Sequence, residues 1–145
     1  MPGLVTEVDY TWDGRRVAVA ELEGRLTMLD GGTLRPLGTP VELGERVSWI
    51  VARPDGRTAV VLLGGVEPTD TFVPPSQGWA LVDLASGRVV RRGPLQMPYA
   101  FWLAVSPDGR FAAVSGGDNG DGADKSGARG KVEVIDLSTG RPLGP

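Results

Sequence analysis

A chain of 145 residues, 41% hydrophobic and 23% charged, is long enough to bury one globular core and too apolar to stay disordered. Its formal net charge of -3 leaves no electrostatic footprint for nucleic acid or an anionic membrane surface. Cysteine and histidine are both absent, which excludes disulfides, thiolate nucleophiles, Cys- or His-ligated zinc and any Ser-His-Asp arrangement within the chain.

The N-terminal Met1-Pro2-Gly3-Leu4 lacks the basic segment and long apolar stretch of a secretory signal. No apolar run approaches the roughly 18 residues of a membrane span, so a cytoplasmic location is the expectation. The first element of the main pattern follows at Asp13-Gly14-Arg15, which recurs as Asp55-Gly56-Arg57 and Asp108-Gly109-Arg110, twice preceded by proline at Pro54 and Pro107. Each copy precedes an apolar run: Val17 to Leu22, Thr58 to Leu63 and Phe111 to Ser115. Pro-Asp-Gly suits a tight hairpin, with proline presetting φ, aspartate bonding nearby amides and glycine accepting positive φ. The hairpins join predicted first strands at Val47 to Ala52 and Ala100 to Val105 to second strands at Thr58 to Leu63 and Phe111 to Ser115.

A second marker closes each unit. Leu29-Asp30 with Arg35, Val82-Asp83-Leu84-Ala85-Ser86-Gly87-Arg88 and Ile135-Asp136-Leu137-Ser138-Thr139-Gly140-Arg141 share an apolar residue, an aspartate, a turn and an arginine. The three aspartates stand 53 residues apart, whereas the Asp-Gly-Arg copies stand 42 and 53 apart. The first unit is therefore about eleven residues shorter between its two markers. These markers bound predicted third strands at Arg25 to Asp30, Trp79 to Asp83 and Lys131 to Asp136. Fourth strands follow near Val89 to Leu95 and from Arg141 onward. Helix has no place, because Gly or Pro breaks every window of twelve or more residues. The continuous run Thr58-Ala59-Val60-Val61-Leu62-Leu63 asks for a strand buried on both faces, the environment that stacked sheets provide.

With these residues in view, the chain resembles the WD40-like propeller repeat, of the YVTN type found in divergent bacterial proteins. Ser106-Pro107-Asp108-Gly109-Arg110-Phe111-Ala112-Ala113-Val114 and Val132-Glu133-Val134-Ile135-Asp136-Leu137-Ser138-Thr139-Gly140-Arg141-Pro142-Leu143 match that repeat's second and third strands with their turns. The resemblance implies an all-β fold, a partial β-propeller of about three four-stranded antiparallel blades in one domain, 1–145. The blades fall at about 4–44, 45–97 and 98–145, the last with its fourth strand truncated. The family's Trp-Asp dipeptide is replaced by Leu29-Asp30, Val82-Asp83 and Ile135-Asp136, and its Gly-His pair is missing. Its Asp-His-Ser/Thr-Trp hydrogen-bonded tetrad therefore cannot form, so blade stability is expected to lean on apolar packing. Closed propellers use about four to eight blades, which implies a segment of a larger protein or a protomer that completes its ring by association through open blade edges.

The candidate sites are loops. The stretch 116–127 carries Asp118, Asp121 and Asp124, carboxylates of the type that binds Ca²⁺. Placing Asn119, Asp121 and Gly122 at the third, fifth and sixth positions of a calcium loop, however, puts Gly117 first and Ala128 twelfth, so a polar insertion is the reading. Lys125-Ser126 lacks the glycine a phosphate loop needs, since Asp124 precedes it. Ser106 and Ser115 read as turn and strand serines, and the Arg15-Arg16 and Arg91-Arg92 pairs as solvated strand edges. The connection Val66 to Gly78 offers Asp70, Phe72 and Gln77 as partner contacts. Trp49, Trp79 and Trp102 read as core or inter-blade packing.

The function these features imply is a non-enzymatic protein-interaction scaffold without cofactor or metal, with the C-terminal sensor or interaction part of a bacterial regulator as its expected place. The alternatives are a propeller hydrolase of the lactonase type and an oligomeric propeller that binds a small ligand between blades.

Overall fold

The computed structural model describes residues 3–64, 76–117 and 130–144. Among them the chain forms strands and turns and no helix. The first sheet runs β1 (Val5–Tyr10), β2 (Arg16–Glu21), β3 (Arg25–Asp30) and β4 (Val41–Glu42), in that spatial order. The second runs β5 (Val47–Ala52), β6 (Thr58–Gly64), β7 (Ser76–Asp83) and β8 (Val89–Gly93). The third runs β9 (Tyr99–Val105), β10 (Phe111–Gly117), β11 (Gly130–Asp136) and β12 (Arg141–Leu143). Every pairing is antiparallel between consecutive strands, so each sheet is a simple meander.

The second sheet lies between the other two. All seven residues of β6 are buried, as its unbroken apolar sequence requires, and alternate side chains serve opposite interfaces. Ala59, Val61 and Leu63 join Ala18, Ala20, Leu26 and Met28 of the first sheet. Val60 and Leu62 join Ala112, Val114 and Ile135 of the third. The first strands β1, β5 and β9 lie side by side along the inner edge of the stack, where polar bonds tie sheet to sheet. Thr6 Oγ1 donates to the Val47 carbonyl at 3.1 Å and the Ala52 amide donates to Asp9 Oδ2 at 2.8 Å.

Four features depart from the sequence reading. Gln77 belongs to β7 and not to a loop, because Ser76 and Gly78 pair with Gly64 and Leu63. Gly116 and Gly117 likewise extend β10, opposite Lys131 and Gly130. The first sheet has a fourth strand of only two residues, fixed by Arg25 Nε donating to Glu42 Oε1 at 2.7 Å. Trp79 is fully buried and Trp49 packs against the same cluster, but Trp102 is 60% exposed on the open side of the third sheet.

Candidate partner-binding surface

The two repeated markers meet at one end of the stack, since β1–β2 and β3–β4 turns lie at the same end of a meander. Each Asp-Gly-Arg aspartate caps its own turn. Asp13 Oδ1 accepts from Thr11 Oγ1 at 2.7 Å and from the Arg15 amide at 2.9 Å. Asp55 accepts from the Thr58 hydroxyl at 2.7 Å and from the Arg57 and Thr58 amides, both at 2.9 Å. Asp108 Oδ1 accepts from Ser106 Oγ at 2.5 Å and the Arg110 amide at 3.0 Å. Ser106 Oγ itself accepts from the Phe111 amide, which makes it a turn serine. Gly14 and Gly109 hold φ of 70° and 74°, in the region where a side chain is strained.

The second aspartates cap the β3–β4-type turns in the same way. Asp30 accepts from the Gly32 and Thr33 amides and the Thr33 hydroxyl. Asp83 accepts from the Ala85 and Ser86 amides, and Asp136 from the Ser138 amide and hydroxyl. In the second and third sheets the arginine of the first marker then reaches the aspartate of the second. Arg57 Nε donates to Asp83 Oδ2 at 2.7 Å, and Arg110 Nη2 donates to Asp136 Oδ2 at 3.0 Å. Both carboxylates are buried while both guanidinium groups stay largely in solvent. Arg53 links neighbouring sheets, its Nε donating to the Gly109 carbonyl at 2.8 Å.

These bonds set the charge states. The Ser86 amide and then the Arg57 guanidinium hold Asp83 down at about 2, and the Arg110 guanidinium with the Ser138 hydroxyl does the same for Asp136. The Thr11 hydroxyl lowers Asp13, the Thr33 amide lowers Asp30 and the Ser106 hydroxyl lowers Asp108. Burial raises Asp55, but its bonds to Thr58 and Arg57 outweigh that and leave it lowered. All six turn carboxylates are thus ionised and engaged near neutral pH. A general acid or base poised near neutrality is a different thing.

Exposed at this end are Trp12, at 57%, and Leu34, at 58%, with arginines that include Arg15, Arg16, Arg57 and Arg110. Trp12 occupies the place that Pro54 and Pro107 hold in the other copies, a signal available from aligning the three turns. Of the loop residues expected to contact a partner, Asp70, Phe72, Asp118, Asp121 and Asp124 lie outside the described residues. No group of three or more His, Cys, Asp or Glu able to hold a metal ion occurs among the described residues. No helix among them is long and apolar enough to cross a membrane. A cleft of about 390 Å³ opens beside the third sheet, lined by Gln96, Met97, Lys131, Glu133, Pro142 and Leu143. Its carboxylate accepts from the backbone N–H of Gln96, Glu133 Oε2 lying 2.9 Å from that nitrogen.

No protein-family model and no curated protein matches the sequence. Solved structures do match the fold. The β-propeller domain of Cps50 (Swd1) from Myceliophteria thermophila superposes with a TM-score of 0.68 at 14% identity, over 99% of this chain and 38% of that one. Hydrazine synthase from Kuenenia stuttgartiensis gives a TM-score of 0.66 at 19% identity, over 93% of this chain and 40% of that one. The chain therefore spans about two fifths of the length of each. At such identities the likeness establishes architecture alone, and the architecture is an open β-propeller arc in which each four-stranded meander is a blade.

Proposed function

We propose that this chain is a non-enzymatic protein-interaction scaffold of the WD40-like, bacterial type, working in the cytoplasm. Its partner is a protein, neither nucleic acid nor membrane, that docks on the turn end of the blades. The observation that carries the reading is Trp12, exposed on a turn pinned by Asp13, with Arg15, Arg57 and Arg110 exposed on the same end. Tryptophan and arginine on a rigid support are the residues that dominate binding energy at protein interfaces, because they bring large contact area with little conformational freedom left to lose. The six ionised turn carboxylates support the same reading, since they are occupied in holding that support in shape.

The test replaces Trp12 with a photo-crosslinking amino acid and places the same group at Val90, on exposed β8, as a control. A discrete protein adduct formed at position 12 and absent at position 90 is expected. Turnover of a lactone or ester panel by the purified chain, with no adduct at position 12, would refute the proposal and favour a propeller hydrolase.

A further inference from the structure

The two interfaces that the chain makes with itself specify what belongs on its two open faces. Where the second blade meets the third, it presents Trp49, Val51, Val60, Leu62, Trp79 and Leu81. Moving each by the 53-residue repeat gives Trp102, Ala104, Ala113, Ser115, Val132 and Val134. Strand register puts these on one side of the third blade: Ser115 lies opposite Trp102 and Val132, and Ala113 opposite Ala104 and Val134. That side is the one turned away from the second blade, which Ala112, Val114 and Ile135 face. Trp102 is 60% and Val132 is 73% exposed there.

The other end of the arc carries the complementary surface. The third blade meets the second through Ala100, Leu103, Ala112, Val114 and Ile135, and the second meets the first through their counterparts Val47, Ile50, Ala59, Val61 and Val82. In the first blade, with the shorter 42-residue offset over its first two strands, the same positions are Val5, Val8, Val17, Val19 and Leu29. Val17 and Val19 alternate with Ala18 and Ala20, which face the second blade, and Val19 lies opposite Val8. Val5 and Val8 are about half exposed, at 49% and 52%. Both open faces thus repeat, position for position, faces that are covered within the chain.

We propose that the open face of the third blade receives the open face of the first blade of a second copy, head to tail, so that two copies close a six-bladed ring. The contact is heterologous, and such contacts close into rings when the rotation per step allows. Two is the only number of three-bladed arcs that falls within the roughly four to eight blades of a closed propeller. This proposal rests on the fold and not on the turn-end surface, so either stands if the other fails.

Sedimentation equilibrium of the chain across a concentration series tests it. The expected mass is twice the 15.3 kDa of one chain. Val8→Glu and Val132→Glu each put a charge into every junction of the ring and are expected to weaken the dimer at least about 100-fold. Both positions are exposed within a single chain, so the strand circular dichroism signal of each variant should match the parent. Trp102→Ser, on the same face as Val132, serves as a second variant should either glutamate disturb folding. Mixing the two glutamate variants restores one intact junction and should return the mass toward a dimer. A parent chain that stays at 15.3 kDa throughout, a dimer that persists in either variant, or a mixture that remains monomeric overturns the proposal.

Discussion

Leu62 and Val61 are neighbours on β6, fully buried, and directed to opposite blades. Leu62→Ala deletes three buried carbons, a transfer loss of about 2.4 kcal/mol at roughly 0.8 per methylene. The cavity left against the third blade brings the expected cost to about 3 kcal/mol, within the usual range for such substitutions. For a domain of this size that lowers Tm by roughly 6–12 °C. Val61→Ala removes two carbons, about 1.6 kcal/mol before any cavity cost, and opens the interface with the first blade. Thermal unfolding by far-ultraviolet circular dichroism gives the magnitudes. Amide hydrogen exchange gives the direction: Leu62→Ala should speed exchange in β10, and Val61→Ala in β2. A Tm change below about 2 °C for Leu62→Ala, or acceleration of the same blade by both variants, would refute the two-sided stacking of β6.

The turn carboxylates predict an acid transition. Asp83 and Asp136 are held at about 2 in the folded chain against about 3.9 unfolded. Their contribution is therefore complete above about pH 4 and is lost as pH falls toward 2. Tm measured across that window should drop, and Asp83→Asn with Asp136→Asn should flatten the dependence. Gly14→Ala and Gly109→Ala impose the same backbone strain, about 1–2 kcal/mol. Gly109→Ala should cost more on denaturant titration, because an added Cβ meets Pro54 Cδ at 3.2 Å while nothing lies within 4 Å of Gly14. Asp9→Ala leaves the buried Ala52 amide without its acceptor and should cost about 1–3 kcal/mol, whereas Asp9→Asn, which keeps a carbonyl in place, should recover part of that loss.

The architecture was legible because its signals are local and repeated. Asp-Gly-Arg marks the first hairpin of each blade, and Val47 to Ala52 forms the expected strand with the expected ends. What escaped depends on partners distant in sequence. The two-residue β4 has no periodicity to detect and exists through its pairing with Arg25 and Leu26. Gln77 sits among Gly and Pro signals that read as loop, but pairing with β6 overrides them. Trp102 shares the repeat position of Trp49, which correctly fixes its side of the sheet. Whether that side is covered depends on the next blade and not on Trp102. The Arg57–Asp83 and Arg110–Asp136 pairs each span 26 residues. No local pattern shows them, yet the constant spacing in two repeats was a usable signal that apolar packing does not act alone.

The first blade shows which part of this turn network is common to all three blades. There the shorter connection between β2 and β3 changes the Arg15-to-Asp30 spacing, and among the described residues the Asp30 carboxylate is met by Gly32 and Thr33. The aspartate with its amide donors is common to all three blades, so the capped turn is the constant element and the arginine clamp an addition to it. Those caps span two or three residues. The stacking of blade on blade instead joins residues tens of positions apart. A repeat array of this kind is held by local units and nearest-neighbour interfaces. Stress on the arc should therefore part the blades before it opens their turns.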